Sequence, residues 1–158
     1  MTAKVVVIGV GNILLGDEGL GIVAVRRLEE ELPEELSGEV EIVDGGTDSL
    51  DALIDSKEAE QVIVVDAIDG GKEPGTVISL DGEELLKTES VPLLSLHQLS
   101  LKESVCLAEL TGFDRKKLLV VGMQPASIAP SENLSPVVNE KMELLVSRIK
   151  EEIQEVLR

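Results

Sequence analysis

Short runs of aliphatic and β-branched residues alternate along this chain with segments in which apolar residues recur at helical spacing. The runs show little polar alternation, which is typical of strands that are covered on both faces. Five such strands are predicted, at residues 5–8, 40–44, 61–66, 76–80 and 117–123. The pattern therefore predicts a sheet enclosed between layers of helices.

The segments with helical spacing connect or follow these strands. Helices are predicted to begin near Leu20, Leu50, His97 and Pro136. Gly112 is expected to end the third helix, and Ser135 supplies an N-cap directly before Pro136 at the first helical position of the last one. That last helix keeps one apolar face from Val138 to Val156 and closes the domain.

Connection lengths distinguish parallel from antiparallel neighbours. Only residues 69–75 separate the third strand from the fourth, whereas a parallel crossover needs roughly a dozen residues. The fourth strand is therefore expected to run antiparallel. Together these features predict a single domain over residues 1–158, with an α/β fold. Its architecture is a three-layer α/β/α sandwich around a five-stranded, mostly parallel twisted sheet.

The composition narrows the classes of partner. The 158 residues include 31 Asp and Glu against 14 Lys and Arg, which gives a formal net charge of -17. Because this charge repels phosphate backbones and anionic headgroups, neither nucleic acid nor a membrane is expected as a partner. One Phe, with no Tyr or Trp, requires an aliphatic core and leaves no aromatic platform for bases.

The single cysteine bears on the type of site and on the compartment. Cys106 alone can form neither an intramolecular disulfide nor a thiolate metal cluster within one chain, and we expect it to be a small core residue. Residues 1–4 lead directly into the first strand with no visible leader, so a cytoplasmic location is expected. The sequence does not specify the oligomeric state.

A glycine-rich turn follows the first strand and ends on two adjacent carboxylates. Gly9 and Gly11 allow the backbone to turn sharply at the edge where ligands bind in open α/β sheets. The spacing also fits part of a dinucleotide fingerprint, with Asp44 as the acid that binds ribose. The third glycine is missing, however, and Asp17 and Glu18 place negative charge where a pyrophosphate approaches. A nucleotide-binding module of Rossmann type is therefore kept as an alternative.

Three polar side chains fall where a site could form on the rim of the sheet, outside the aliphatic core. Glu18 follows the first strand, Asp66 ends the third, and His97 stands at a predicted helix start. Such a set can bind a divalent ion and leave positions open for water or a substrate carbonyl, as metal-assisted hydrolysis requires. Each residue also has an ordinary interpretation. His97 can be a capping or surface residue, Asp66 can accept from the amides of the next turn, and Glu18 can be a solvated first-turn carboxylate.

Five motifs in a fixed order make the interpretation more specific. They are Gly9-x-Gly11-Asn12 with Asp17-Glu18-Gly19, then Asp44-Gly45-Gly46-Thr47, Val65-Asp66-Ala67, His97-Gln98-Leu99 and Val121-Gly122-Met123-Gln124-Pro125. With these motifs the chain resembles the nickel-iron hydrogenase maturation endopeptidases, and the resemblance extends over essentially the whole chain. It implies the same three-layer fold with a five-stranded mixed sheet.

The resemblance also implies a reaction and the residues that perform it. The expected activity is removal of a short carboxyl-terminal extension from the precursor of a hydrogenase large subunit, after nickel has been inserted. Glu18, Asp66 and His97 match the family positions that contact the metal, and we expect them to be catalytic. The expected partner is therefore the large-subunit precursor, and the protein is expected to be a metal-dependent hydrolase.

Substrate binding is expected from the turn after the second strand and from the residue before Glu18. Gly45, Gly46 and Thr47 match a loop that lines the cleft of the family. Asp17 is expected either to cap the following helix, which is the favoured interpretation, or to bind substrate.

One histidine with two carboxylates is a poorer resident zinc site than the histidine-rich sets of ordinary zinc hydrolases. No tightly bound resident cofactor is therefore expected, and nickel is expected to arrive with the substrate. Either Glu18 or Asp66 can be the general base, and the amides of Gly45 and Gly46 are candidate oxyanion donors. A noncatalytic assembly factor, which binds the precursor without shortening it, is the second alternative.

Overall fold

The computed structural model describes residues 3–87 and 100–158, which include a five-stranded sheet. The strands are Val5–Gly9 (β1), Val40–Asp44 (β2), Gln61–Ala67 (β3), Val77–Asp81 (β4) and Leu118–Met123 (β5). Their order across the sheet is β2-β1-β3-β5-β4, in which β4 runs antiparallel to β5 and the other neighbours are parallel. The predicted fold class and the antiparallel fourth strand are confirmed.

Helices cover both faces of this sheet. The α-helices in the described ranges are Leu20–Glu31 (α1), Leu50–Asp55 (α2), Gly82–Lys87 (α3), Leu101–Glu109 (α4) and Pro136–Leu157 (α5). Helices α1 and α5 contribute to one apolar cluster against the sheet, and α2, α3 and α4 contribute to the other. The result is the three-layer sandwich. Within residues 3–87 and 100–158, no helix is long and apolar enough to cross a bilayer.

The alternation of side chains along β3 determines on which face of the sheet the last residues of the strand lie. Ile63 and Val65 pack into the cluster with α1 and α5, whereas Val62 and Val64 pack into the cluster with α2 and α4. Because successive strand residues point to opposite faces, Asp66 lies on the face of α2 and α4. The carboxyl end of β3 thus places an acid on that side of the sheet.

Two local features differ from the predictions. Helix α4 begins at Leu101, so the predicted start near His97 is wrong. Ser100 has an extended backbone and is the N-cap, because its hydroxyl oxygen accepts from the amide of Glu103 at 3.2 Å. Cys106 is exposed on this helix, so its prediction as a core residue is also wrong. The apolar face of α4 includes Val105 and does not include Cys106.

Helix α3 was not predicted, although its start is encoded locally. The amide of Glu84 donates to Asp81 Oδ1 at 2.8 Å, and the amide of Asp81 donates to Glu84 Oε1 at 3.1 Å. This reciprocal pair is a capping box built on an acid, and it starts the helix directly at the end of β4. The acidic composition of the segment concealed this signal.

Helix α1 approaches β3 so closely that only glycine fits at one contact. A Cβ on Gly21 would lie 2.2 Å from the carbonyl oxygen of Val65 and 2.5 Å from that of Val10. Both obstacles are backbone atoms, which cannot rotate away as a side chain can. Gly21 therefore fixes the first turn of α1 against β3, the strand that carries Asp66.

Gly21→Ala is expected to lower the free energy of unfolding by about 1–3 kcal/mol, because the added methyl group forces α1 away from β3. Gly38→Ala is the matched control, since nothing lies within 4 Å of its added Cβ. The control should change stability by no more than about 1 kcal/mol. Urea titration of both variants measures the difference, and equal stability would show that the packing of α1 on β3 is not tight.

Candidate active site

The connection between β1 and α1 carries the first predicted site residue. A 3-10 helix, Gly16–Gly19, packs against β3 and contains Glu18. The start of the connection is tied to the same strand, because the amide of Val10 donates to the carbonyl oxygen of Val65 at 2.9 Å. Glu18 and Asp66, which follows Val65, therefore belong to segments that meet at the carboxyl ends of β1 and β3.

Gly11 allows this connection to fold back on itself. Its φ is 148°, and a Cβ at this position would lie 2.0 Å from the carbonyl oxygen of Glu18. That oxygen accepts from the amide of Asn12 at 3.2 Å, and the amide of Gly11 donates to the carbonyl oxygen of Gly46 at 2.8 Å. Gly11 thus links the segment of Glu18 to the turn after β2, where substrate-binding residues are predicted.

Glu18 and Asp66 are buried and close enough to interact. Their exposed fractions are 0% and 1%. Burial raises the pKa of Asp66 well above its ordinary value of 3.8, and the negative charge of Glu18 raises it further, against the opposing effect of the Ala67 amide. The structure thus brings these two carboxyl groups together. They lie on the predicted rim, at the carboxyl ends of β1 and β3, but both are buried there, so the interpretation of Glu18 as a solvated carboxylate is wrong.

Asp66 also accepts a hydrogen bond from the backbone that follows it, as the ordinary interpretation of this residue predicted. Its Oδ1 accepts from the amide of Ala67 at 2.8 Å. This bond orients the carboxyl group across the end of β3. It is compatible with binding a cation, because an ionised carboxylate has about four acceptor positions.

His97 lies outside the described residues, so its predicted site role stays a prediction. Among residues 3–87 and 100–158, no group of three or more His, Cys, Asp or Glu side chains could hold a metal ion. Glu18 and Asp66 occupy two of the three predicted positions, and the third position is that of His97. The predicted ligand set therefore depends on a residue from the segment between α3 and α4.

Asp17 has a different function from the one favoured by the sequence. The N-cap of α1 is Gly19, without a side-chain capping bond, so the prediction of Asp17 as a helix cap is wrong. Its carboxylate is fully buried and points to the connection between β5 and α5. Oδ2 accepts from Ala126 N (2.8 Å), Ser127 N (3.0 Å) and Ser135 Oγ (2.7 Å), and Oδ1 accepts from Ser135 N (2.7 Å). Its binding of substrate stays a prediction.

The turn after β2 is held by its own amides. Gly45 N donates to the carbonyl oxygen of Gly9 at 2.8 Å, and Gly46 N donates to Asp44 Oδ1 at 3.0 Å. Gly46 has a φ of 58°, which this tight turn requires. Both amides are therefore engaged inside the protein, and their prediction as oxyanion donors is wrong for the turn in this conformation.

A groove of about 410 Å³ adjoins this turn. Gly46 and Thr47 line one side of it, Ile13 and Leu14 line another, and Arg26 contributes a cationic side chain. Ile13 and Leu14 are 42% and 58% exposed and give the groove adjacent apolar side chains. The groove thus offers apolar surface beside the polar residues Thr47 and Arg26.

Gln124 is a buried polar residue whose contribution the sequence analysis missed. Its Oε1 accepts from Gly70 N at 2.8 Å and from Lys72 N at 3.2 Å, and its Nε2 donates to Asp69 Oδ1 at 3.1 Å. Gln124 therefore holds the connection that follows Asp66. In the sequence, this contribution could have been inferred from an amide side chain that directly follows a fully apolar strand.

The raised pKa of Asp66 predicts a pH-dependent effect on stability. A carboxyl group whose pKa is raised by folding destabilises the protein as pH rises from the ordinary value of 3.8 through the higher folded value. Asp66→Asn is therefore expected to be more stable than the parent at pH 7, with a difference that disappears in acid. Urea titrations in EDTA at several pH values measure this, and exposed Asp55→Asn is the control. A less stable Asp66→Asn variant at every pH would refute the assignment.

The fold and the paired acids define an α/β protein whose candidate site lies at the carboxyl ends of parallel strands. Residues 22–152 match the family model described as hydrogenase maturation protease, HycI. The chain therefore belongs to the hydrogenase maturation protease family, whose members are hydrolases that process hydrogenase precursors. The predicted family is confirmed. Asp66 and His97 lie inside the matched range, and Glu18 lies just before it.

Several relatives agree with this assignment. The hydrogenase 2 maturation protease of Escherichia coli (strain K12) is 36% identical, over 96% of this chain and 92% of the relative. HupD of Rhodobacter capsulatus is 31% identical, over 96% and 71% of the two chains. HupD of Rhizobium leguminosarum bv. viciae is 38% identical over 79% of this chain, which spans only 61% of that longer relative.

Solved structures support the fold independently. The hydrogenase maturating endopeptidase HybD from E. coli has a TM-score of 0.79 at 34% identity, covering 96% of this chain and 93% of that one. The [NiFe] hydrogenase maturation protease HycI from Thermococcus kodakarensis KOD1 has a TM-score of 0.73 at 29% identity, covering 94% and 91%. The mixed sheet with helices on both faces is thus shared across these proteases.

Proposed function

We propose that this protein is an endopeptidase that removes a short carboxyl-terminal extension from the large-subunit precursor of a nickel-iron hydrogenase. In this proposal the nickel already bound in the precursor is the recognition signal, and Glu18, Asp66 and His97 contact it. Nickel is part of the substrate and not a resident cofactor. The observation that carries the proposal is the pair of buried carboxyl groups of Glu18 and Asp66, in which the charge of Glu18 raises the pKa of Asp66.

A cation between these groups would resolve an electrostatic conflict. Burial and the charge of Glu18 both disfavour ionised Asp66, as its raised pKa reflects. A divalent ion would reverse this effect, because it attracts both carboxylates and lowers the pKa of Asp66. The site is therefore suited to a metal that arrives late, together with the rest of the substrate.

The position of the third proposed ligand fits the topology. Helices α3 and α4, which flank the segment containing His97, pack on the same face of the sheet as Asp66. An imidazole also suits nickel, because nitrogen ligands are common for late first-row metals.

Substrate-bound nickel would place the precursor tail beside the groove. Once Glu18, Asp66 and His97 hold the metal, the chain near it has a fixed position, so hydrolysis gains from proximity and orientation. The groove next to Gly46 and Thr47 then receives the extended segment. Either Glu18 or Asp66 is the base for the attacking water, and the polarised carbonyl is stabilised by a donor other than the two engaged glycine amides.

The test uses purified protein with nickel-loaded and nickel-free forms of the same precursor. Mass spectrometry should show loss of the extension in the loaded sample only, at a rate at least about 100-fold above the nickel-free sample. Equal cleavage of both forms would remove nickel recognition from the proposal. An intact loaded precursor that nevertheless co-purifies with the protein would favour the noncatalytic assembly factor, and saturable nucleotide binding insensitive to His97→Ala would favour the nucleotide-binding module.

A further inference from the structure

The connection between β5 and α5, residues 124–135, contacts the segments of both buried site carboxylates. We call it the bridging loop. At its first residue, Gln124 binds the backbone of the connection that follows Asp66. Farther along, the bridging loop supplies all four donors that surround the carboxylate of Asp17, the residue before Glu18. One segment therefore holds the two acids from two sides.

Backbone hydrogen bonds reinforce the side near Glu18. Gly16 N donates to the carbonyl oxygen of Ser131 at 2.9 Å, and Asp17 N donates to that of Ser127 at 2.9 Å. In the reverse direction, Ser131 N donates to the carbonyl oxygen of Leu14 at 3.0 Å. The 3-10 helix that carries Glu18 is thus bound to the bridging loop through its backbone as well as through the Asp17 side chain.

The side chain of Ser135 contacts Asp17 and makes no helix-capping bond. Its position directly before Pro136 is the N-cap of α5, as predicted, but its side chain makes no capping bond. The hydroxyl group donates to Asp17 at 2.7 Å instead. A helix whose N-cap hydroxyl makes no capping bond forgoes that stabilisation, so the geometry at Asp17 takes precedence over the cap.

The burial of an acid at position 17 also indicates that Asp17 orients the backbone around it. Burying an ion is costly even when it is paired, and an apolar contact of similar volume often stabilises a fold as well. Four directed donors, however, fix a carboxylate in one orientation, which an apolar contact does not. Because Glu18 is the next residue, its backbone is fixed with it.

We propose that the bridging loop sets the position of Glu18 relative to Asp66, with Asp17 and Gln124 as positioning residues. The inference rests on the proposed function, in which Glu18 and Asp66 contact substrate nickel. Asp17 acts through the 3-10 helix and Gln124 acts through the connection after β3. A displacement of either acid by a fraction of an ångström to 1 Å is enough to slow an oriented reaction by about 10- to 100-fold.

The test compares Asp17→Asn, Gln124→Met and Ser135→Ala with the parent on nickel-loaded precursor. Asp17→Asn turns one acceptor into a donor, Gln124→Met removes the amide, and Ser135→Ala removes a single donor in a variant that should fold readily. The rates are divided by the folded fraction from circular dichroism. We expect kcat to fall about 10- to 100-fold for Asp17→Asn and Gln124→Met, and about 3- to 10-fold for Ser135→Ala, with KM within about threefold.

Two controls separate positioning from loss of stability. Asp114→Asn alters an acid that accepts from Lys116 N at 2.9 Å at the opposite edge of the sheet, and Ile153→Ala destabilises the far end of α5. Both should keep kcat per folded molecule within about twofold of the parent.

The outcomes distinguish this inference from the proposed function. If Glu18→Gln is inactive while Asp17→Asn, Gln124→Met and Ser135→Ala retain parental kcat, positioning is overturned and the proposed function stands. If Ile153→Ala loses kcat as much as Asp17→Asn, the effect is one of stability and the inference is also overturned. If the parent itself leaves the loaded precursor intact, the proposed function fails, and the inference fails with it.

Discussion

Glu18→Gln, Asp66→Asn and His97→Ala are each expected to slow processing of nickel-loaded precursor by at least about 1,000-fold. Each substitution removes a charge or a nitrogen that the proposed function assigns to the metal of the substrate. Because the three residues act as one ligand set, combining two substitutions should cost little more than either alone. Mass spectrometry of the precursor over time measures the rates.

The Asp66→Asn variant makes this test specific, because its effects on function and on stability have opposite signs. It should be inactive and yet more stable than the parent at neutral pH, since it removes an ion whose pKa is raised by burial and by Glu18. Asp55→Asn, on an exposed part of α2, should process at the parental rate. Parental rates in all three site variants would remove the site assignment altogether.

Asp17→Ala is expected to lower the free energy of unfolding by about 3 kcal/mol, the largest effect on stability that we predict. The change leaves three amides and one hydroxyl group without the acceptor they share. Partial access of water to the connection between β5 and α5 keeps the loss below the sum of four charge-assisted bonds.

Urea titration measures this loss. Asp17→Asn keeps one oxygen as an acceptor and should lose roughly half as much stability as Asp17→Ala. Asp114→Asn, whose carboxylate is exposed, should change stability by less than about 0.5 kcal/mol. An Asp17→Ala protein as stable as the parent would show that the four hydrogen bonds contribute nothing net to folding.

The strands were predictable because buried strands require continuous apolar runs, and the runs here are short and cleanly bounded. The antiparallel direction of β4 followed from the length of one connection alone. Strand ends predicted the meeting of Glu18 and Asp66, because parallel strands bring their carboxyl ends to one edge of the sheet. The order of the motifs then indicated the family.

The partners of Asp17 could not be predicted in this way, because they lie 109 to 118 residues away along the chain. Local rules favoured a helix cap for Asp17, and a long-range contact prevailed over them. The burial of Glu18 escaped prediction for a similar reason, since it depends on how the segment after β1 packs on β3. The start of α4 is encoded by the serine N-cap at Ser100, and that of α3 by a capping box between Asp81 and Glu84. The periodicity of apolar residues reports neither signal.

Binding of the precursor's nickel by Glu18, Asp66 and His97 can be observed directly at the metal. Nickel-edge X-ray absorption tests it on precursor mixed with the protein on ice and frozen before cleavage, with mass spectrometry confirming that the extension is intact. We expect new oxygen and nitrogen ligands at about 2.1 Å with the parent protein, and fewer of them with Glu18→Gln. A nickel spectrum that is the same with and without the parent protein, although the two proteins are bound, would contradict it.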